Sequence, residues 1–161
     1  MESEPDIAFR RAMGAFATGV AVVSAVRGAA LSGLTVNSLA SVSLKPPLLL
    51  WCLQNTCERF ELFARAEHWG LTILGDGDEA LARRFTRQHT ESIDESDLLS
   101  GVPVLRAGVA HFACRTHARH EGGDHLIIVG EVLGFQTKPG AALTFYRGRY
   151  GHAADPHEGG A

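Results

Sequence analysis

The sequence LSGLTVNSLASVSLKPPLLLWCL, residues 31–53, sets a polar run directly before an apolar one. The apolar run, residues 48–53, follows the breaker Pro46-Pro47, and a continuous apolar segment of this length predicts a buried strand. The polar run consists of Thr35, Asn37, Ser38, Ser41 and Ser43. Hydroxyls and amides beside a core need hydrogen-bond partners. The run therefore predicts either a Ser/Thr-rich edge strand with turns or the lining of a site for a flat, polar ligand.

The composition describes one globular domain, because 161 residues that are 45% hydrophobic can bury a core. Fifteen Lys and Arg against 18 Asp and Glu give a formal net charge of -3 without any basic run. This balance argues against a protein that binds nucleic acid or anionic membranes. No apolar stretch approaches the roughly 18 residues of a membrane span, and the N-terminal sequence is acidic where a signal peptide is basic. Free thiols in a reducing cytoplasm are expected for Cys52, Cys57 and Cys114.

Periodicity predicts a mainly β domain with a few peripheral helices. The helices are expected over residues 5–18, after Thr56, and over residues 78–88. The strands are expected over residues 20–24, 31–36, 48–53, 69–74, 109–116, 125–135 and 142–147. An acidic surface excursion is expected over residues 88–103, and a turn over residues 117–124. The short strands and the absence of a repeat or linker favour a β-barrel or sandwich in residues 1–150, followed by a disordered tail, residues 151–161.

The sequence GDGDEA at Gly75–Ala80 matches the G-x-G-x-x-A pattern of dinucleotide-binding sites. However, Asp76, Asp78 and Glu79 would stand where a pyrophosphate approaches and would repel it. No strand follows within the usual βαβ span. A capped helix start, with acidic residues that complement the helix dipole, explains the pattern better.

Four histidines, His111, His117, His120 and His125, lie close to Cys114 in the sequence and suggest a metal site. On an alternating strand His111 and Cys114 point to opposite faces, so both could not bind one ion without a distortion. His117 and His120 fall in the predicted turn. We therefore expect no metal.

Two further groups carry polar chemistry next to predicted strands. His125 follows Gly122-Gly123-Asp124, so its ring either projects from a barrel rim into a cleft or lies on the surface. The sequence YRGRY at Tyr146–Tyr150 places two guanidiniums and two phenols around a glycine. Such a group either holds phosphate and stacks on an aromatic ligand, or simply ends a strand with charge.

Taken together, these segments resemble the short-chain flavin reductase family, the NAD(P)H:flavin oxidoreductase partners of two-component flavin-dependent monooxygenases. The resemblance runs from Phe9 to Tyr150. It is carried, in order, by FRRAMGAFATGVAVVSA, GLTVNSLASVSLKPPLLLWCL, LARRF, GVPVL, GGDHLIIVGEV and FYRGRYG. It implies a split β-barrel with Greek-key strands, a homodimer with FMN or FAD near the subunit interface, NADH or NADPH as hydride donor, and a monooxygenase that receives the reduced flavin.

The resemblance also implies roles for individual residues. The isoalloxazine ring would be lined by Thr35, Val36, Asn37 and Ser38, with Ser41 near the ribityl chain or phosphate. The ribityl-phosphate end would be bound by Cys52, Leu53, Gln54, Thr56 and Arg84. The nicotinamide nucleotide would face His125, Arg147 and Arg149. Because hydride transfer is the chemistry of the cofactors, no indispensable acid–base residue is expected, and His125 would position the nicotinamide.

One segment departs from the family, because residues 88–101 lack the aromatic residues that often cover the outer face of the flavin. This leaves open whether flavin is a prosthetic group or a diffusing substrate. One alternative is a non-catalytic flavin carrier on the same barrel, which would not need the GGDH and YRGRY sequences that this chain has. The other is a split-barrel oxidase of the pyridoxamine-phosphate type, which would need a more basic phosphate pocket than Arg84 alone suggests.

Overall fold

The computed structural model describes residues 3–87, 90–92 and 96–156. Its helices are α1 (Glu4–Met13), α2 (Phe60–Arg65) and α3 (Glu79–Arg87), and a single 3-10 turn, Asp76–Asp78, precedes α3. Its strands are β1 (Thr18–Gly19), β2 (Ala21–Arg27), β3 (Ala30–Val36), β4 (Ala40–Leu44), β5 (Pro47–Gln54), β6 (His68–Ile73), β7 (Thr90–Ser92), β8 (Ser96–Leu99), β9 (Val102–Leu105), β10 (Ala110–Gly122), β11 (His125–Thr137), β12 (Ala142–Tyr146) and β13 (Arg149–Ala153). The mainly β character is as predicted.

The strands form one large sheet and two small ones. The large sheet has the order β4-β5-β11-β10-β6-β2-β3-β7, and its end strands β4 and β7 do not pair with each other, so the described sheet is open. A three-stranded sheet, β1-β12-β13, joins it through a bridge between Gly75 and Ala142, and β8 pairs with β9. An open, curved sheet with a short second sheet at one end is the arrangement expected of a split barrel.

The apolar run after Pro46-Pro47 forms β5, as predicted. Its side chains alternate, with Leu49, Trp51 and Leu53 in the core. Trp51 makes edge-to-face contacts with Phe63 of α2, at 5.6 Å between ring centroids, and with Trp69 of β6, at 5.9 Å. These aromatic rings anchor the larger hydrophobic cluster, because each buries a large apolar area and edge-to-face pairs add to that burial. A second cluster contains Leu31, Phe85 and Leu143, and it joins α3 to the three-stranded sheet β1-β12-β13.

The first helix is shorter than predicted. α1 ends at Met13, and Gly14 caps it by donating its backbone N–H to Arg10 O at 2.9 Å. The predicted helix ran to residue 18, but Thr18 belongs to β1 and pairs with Phe145. The apolar spacing that predicted the helix does not serve the core of this chain, because none of the α1 residues is buried.

The predicted turn over residues 117–124 is wrong. β10 continues to Gly122, and only Gly123 and Asp124 form the turn to β11. The described pairing of β10 with β6 ends at Arg115, so the rest of β10 pairs with β11 alone. Beyond Arg115, β10 is therefore an edge strand of the large sheet, because β11 pairs there with β5 on its other side. Residues 119–122 are all exposed, so this polar sequence lacks the alternation that marks a half-buried strand.

The predicted surface excursion and the predicted tail also differ from the structure. The excursion over residues 88–103 contains β7, β8 and the start of β9, and the apolar β9 side chains of Val102, Val104 and Leu105 are buried. The predicted tail begins inside β13, because Gly151–Ala153 pairs with β12. The remainder of the tail stays a prediction, and its residues 157–161 lie outside the described part of the chain.

Candidate functional site

Ser38 is tied to the backbone of β5 at the point where the β4–β5 ladder ends. The last pair of that ladder joins Ala40 to Leu50. Two residues further along β5, the backbone N–H of Cys52 donates to Ser38 Oγ at 2.9 Å. The Ser38 hydroxyl thus replaces a strand partner, and it fixes the irregular segment 37–39 against β5. Cys52 contributes to this contact through its backbone.

Asn37, next to Ser38, lines three adjoining cavities of about 510, 230 and 160 Å³. The largest has the size of a small-ligand site, and Ser38 and Gly148 also line it. Its wall is otherwise largely apolar, with Met13, Phe16, Leu39 and Phe145. The Asn37 side chain is exposed and has no hydrogen-bond partner among the described residues. A flat ligand with polar edges suits such a wall.

Thr18 supplies a second polar atom to the same place, and sequence reasoning missed it. Its Oγ1 is buried and finds no hydrogen-bond partner within residues 3–87, 90–92 and 96–156, while the residue lines both larger cavities. A buried hydroxyl without a partner costs free energy unless a ligand or water satisfies it. The prediction that residues 5–18 are helical concealed Thr18; its small neighbours Ala17 and Gly19 were the available signal. This unsatisfied hydroxyl, with Asn37 beside it, fits a heteroaromatic ring such as a flavin.

Thr35 lies below the smallest cavity and is partly committed to the fold. Its Oγ1–H donates to Ala82 O of α3 at 2.7 Å. The hydroxyl can therefore only accept hydrogen bonds from a ligand, through the two lone pairs of its oxygen. Val36 lines both smaller cavities. Thr35, Val36 and Asn37 together line the cavity of about 160 Å³, but the Thr35 proton is already used.

Among the arginines at α3, Arg84 was singled out from the sequence as a site residue and Arg59 was not. Arg84 is exposed on α3, where a phosphate could reach it. Arg59 is 6% exposed, and its guanidinium donates to Gly33 O and, at 3.2 Å, to Phe85 O. It therefore connects the segment after β5 to both β3 and α3. No motif marks Arg59, because a buried cation that binds carbonyl oxygens looks like any surface arginine in a sequence.

The end of β5 and the turn between β10 and β11 form one unit. Gln54 is directly opposite His125 in the β5–β11 ladder. Asn55 donates its backbone N–H to Asp124 O at 2.9 Å and its side-chain amide to Gly123 O at 3.3 Å. Because Gln54 is two residues from Cys52, the strand rise places it about 7 Å from the contact with Ser38. Gln54, one of the predicted ribityl-end residues, and His125 are thus neighbours.

His125 is oriented by the residue before it. Its Nδ1 lies 2.8 Å from Asp124 Oδ1. The hydrogen bond from His125, with the charge on the imidazole, lowers the pKa of Asp124 below its ordinary value. Asp124 is therefore a carboxylate at neutral pH, and it accepts the Nδ1–H of the ring. This leaves His125 Nε2 as the ring atom available to a ligand.

The turn between β12 and β13 has an arginine in a left-handed conformation. Arg147 has φ 48° and Gly148 has φ 79°, as in a type I′ turn. The Arg147 N–H donates to Gly14 O at 3.0 Å, and its guanidinium lies over the Tyr146 ring at 5.3 Å. The turn is thereby attached to the end of α1. Arg149 is exposed on β13.

The predicted site residues form two groups. One surrounds the cavity of about 510 Å³ and contains Asn37, Ser38 and the turn at Gly148; the other contains Gln54 and His125. Among the described residues, no hydrogen bond or ion pair joins His125 to Arg147 or Arg149. Other predicted residues are placed differently: Ser41 and Thr56 are exposed, and the Leu53 side chain is fully buried, which limits Leu53 to backbone contacts.

The glycine pattern at Gly75 is the capped helix start that the sequence favoured. Gly75 N–H donates to Asp78 Oδ2 at 2.8 Å, so the carboxylate occupies the position that a phosphate would need. Within the described ranges, no group of three or more His, Cys, Asp or Glu side chains is arranged to hold a metal ion. None of the helices in that part of the chain has the length and apolar character to cross a membrane.

Comparison with known proteins gives consistent matches over nearly the whole chain. Residues 13–154 match the flavin reductase like domain. The chain is 44% identical over 146 residues to the FMN reductase (NADH) SmoA of Agrobacterium fabrum, covering 89% of this chain and 83% of that protein. It is 35% identical over 165 residues to an NADH-dependent FAD reductase of Streptomyces globisporus, covering 96% of this chain and 90% of that protein.

The structure is also similar to a solved one, the styrene monooxygenase flavin reductase SMOB of Pseudomonas putida S12. The TM-score is 0.83 at 30% sequence identity, with 92% of this chain and 99% of that chain covered. This similarity confirms the predicted fold class.

Proposed function

The chain belongs to the flavin reductase-like domain family, and on this premise we propose that it transfers a hydride from NADH or NADPH to FMN or FAD and supplies the reduced flavin to a partner monooxygenase. The observation that supports the proposal is the cavity at Asn37, whose apolar wall carries the unsatisfied Thr18 hydroxyl. The two named relatives are an FMN reductase and an FAD reductase that use NADH. The similar solved structure is, by its name, the flavin reductase of a styrene monooxygenase.

The residues around the cavity would hold the flavin ring. Asn37 would donate and accept hydrogen bonds at the polar edge of the ring, and Ser38 would keep the segment in place through its contact with β5. Thr18 Oγ1 would gain the partner that it lacks. Val36 would line the ring. Thr35 would hold this part of β3 against α3 by donating its hydroxyl proton to Ala82 O. These side chains bind and orient the ring, and they need not exchange a proton during the reaction.

The ribityl-phosphate end would lie between β5 and α3. Arg84 supplies a positive charge, and Gln54 and Thr56 supply polar side chains at the end of β5; Cys52 and Leu53 contribute backbone. A phosphate is bound most firmly where cationic donors approach it. Ser41 would lie beyond this end of the site, on the exposed face of β4.

When both cofactors are bound, nicotinamide C4 supplies the hydride and flavin N5 accepts it. The protein contributes by holding the two rings close together and by excluding water from the space between them. His125 would bind the nicotinamide carboxamide through Nε2, since Asp124 occupies Nδ1. Arg147 and Arg149 would bind the nucleotide phosphates from the β12–β13 turn, which lies beside the flavin cavity at Gly148.

The proposal is tested by steady-state oxidation of NADH and of NADPH by the purified protein, with FMN and FAD added in turn. Turnover that depends on added flavin is the expected result, and it identifies both cofactor preferences. If the protein binds flavin but oxidises neither nucleotide, the chain is a flavin carrier and the proposed reductase activity is refuted.

The role of His125 has its own test, the variant His125→Ala. We expect the KM for the nicotinamide nucleotide to rise several-fold, while the Kd for flavin changes little, because His125 lines none of the three cavities assigned to the flavin ring. An equal loss of nucleotide and flavin binding would contradict the assignment.

We further propose that the enzyme is a cytoplasmic homodimer. Large apolar side chains are exposed on the sheet, including Leu44 at 85% and Phe135 at 69%, as is common on surfaces that bind another chain. The three cysteines are unpaired, which suits a reducing compartment. Sedimentation equilibrium of the protein tests the dimer, and a single species of monomer mass would refute it.

A further inference from the structure

Phe16 stands at the edge of the cavity at Asn37 with most of its ring uncovered. It lines both larger cavities, yet 71% of its surface is exposed. Its backbone N–H donates to Met13 O at 3.0 Å, which continues α1 by one turn and fixes the position of the residue. The exposed ring is therefore held beside the cavity by a hydrogen-bonded turn.

The turn between β12 and β13 connects the Phe16 segment to the opposite wall of the cavity. Arg147 N–H donates to Gly14 O, two residues before Phe16, and Gly148 lines the same cavity as Phe16. Asn37, Thr18 and Phe16 thus surround one space, with the polar atoms and the aromatic ring on different residues of its wall. A planar ligand with a polar and an apolar part would satisfy both.

We propose that Phe16 is an aromatic wall of the flavin-ring site, and that it contacts the apolar, dimethylbenzene part of the isoalloxazine. The inference rests on the proposed function, since it names the residue that meets the flavin ring. Aromatic rings attract each other in offset or edge-to-face contact, beyond the burial of their area. Phe16 would also cover the flavin ring in place of the acidic segment, residues 88–101, because that segment has no aromatic side chain.

The chain offers a matched control in Phe9. Phe9 lies in α1 and is 69% exposed, almost the same fraction as Phe16, but it does not line any of the three cavities at Asn37. Both side chains are exposed, so replacing either one by alanine leaves the core intact. The pair separates an effect of the site from an effect of losing an exposed phenylalanine.

The experiment measures the Kd for riboflavin and for FMN, from the quenching of flavin fluorescence, with wild type, Phe16→Ala, Phe16→Tyr and Phe9→Ala. Riboflavin has the ring and no phosphate, so it reports on the ring contact alone. We expect Phe16→Ala to weaken both ligands by a similar factor, roughly tenfold. Phe16→Tyr should retain wild-type affinity, and Phe9→Ala should change the Kd by less than twofold.

Two results would overturn the proposal: an unchanged riboflavin Kd in Phe16→Ala, or an equal loss in Phe9→Ala. A loss for FMN without a loss for riboflavin would also refute it, because the contact would then involve the phosphate end. The reductase activity is read separately, as NADH oxidation by the wild-type protein at saturating FMN. If that activity is absent, but Phe16→Ala still weakens riboflavin binding and Phe9→Ala does not, the ring site stands and the proposed function fails.

Discussion

A single methyl group added at Gly33 should disturb the packing around the site. Gly33 lies in β3, and a Cβ there would be 2.4 Å from Cε1 of Phe85, which is 1% exposed. Ordinary contact begins at 3.4 Å, so the phenyl ring would have to move by about 1 Å. Phe85 belongs to α3, and its carbonyl accepts a hydrogen bond from Arg59. The displacement would therefore reach the helix that carries Arg84.

The magnitude follows from overpacking. Inserting a methyl group into a well-packed core costs about 1–3 kcal/mol, and the reduced entropy of the unfolded alanine chain returns about 0.4–1 kcal/mol. We expect Gly33→Ala to lower the free energy of unfolding by about 1–2 kcal/mol. With a urea m value of about 1–3 kcal/mol/M, the midpoint falls by roughly 1 M.

The assay is urea unfolding followed by tryptophan fluorescence, since Trp51 and Trp69 are both buried. The control is Gly77→Ala, because a Cβ at Gly77 meets nothing within 4 Å; its midpoint should stay the same or rise slightly. If Gly33→Ala and Gly77→Ala unfold at the same urea concentration, the close contact of Phe85 with β3 is not the constraint described here.

Two other predictions concern single polar groups. Thr35→Val should lower the free energy of unfolding by about 1 kcal/mol, because it removes the hydrogen bond to Ala82 O; Thr35→Ser should lose less, and equal urea midpoints for the two variants would contradict the role of the hydroxyl. Burial raises the pKa of the Cys114 thiol to about 12 from its ordinary 9.0. At pH 8 a thiol reagent should therefore modify the half-buried Cys52 and Cys57 but reach Cys114 only in urea. Because the thiol ionises at a lower pH in the unfolded chain than in the folded one, the free energy of unfolding should fall as pH rises from 9 to 12, and Cys114→Ala should reduce this fall. Reaction of all three thiols in the native protein would refute both the predicted protection of Cys114 and the predicted pH dependence.

The sequence predicted those elements whose periodicity reflects the core of this chain. β5 was recognised because Pro46-Pro47 precedes a run that packs against both neighbours, β4 and β11. α1 was extended too far because Phe9, Met13 and Phe16 repeat at helical spacing, although these side chains are exposed. Apolar residues at helical spacing do not show whether the core of the same chain will bury them.

Among the strand segments that the sequence did not predict, two show clearly that the physical signal is absent from the sequence. The outer half of β10 is an edge strand whose residues 119–122 are all exposed, so polar residues follow one another there. The hairpin between β12 and β13 turns at Arg147-Gly148, where the usual residue before glycine is asparagine or aspartate. An arginine with positive φ is an uncommon choice, and nothing in its neighbours predicts it.

The polar run places Asn37 and Ser38 beside the core, and both residues line a cavity there. Their role in binding a ligand stays a prediction. The contacts that hold them depend on residues distant in sequence, such as the backbone of Cys52 for Ser38 and Ala82 for Thr35. Such pairings exist only once the strands have met, so a local pattern could not reveal them.

The pairing of Gln54 with His125 gives the two sides of the site a fixed spacing. These residues belong to different strands, but they are opposite each other in a backbone ladder, and Asn55 locks the turn beside them. The separation between them is thus set by the geometry of a β-sheet, about 5 Å between strands, and not by any flexible side chain. A preference for another nucleotide could be acquired by exchanging side chains in the Gly123-Asp124 turn without altering this distance. Inserting one residue into β5, by contrast, would turn every following side chain of the strand to the opposite face.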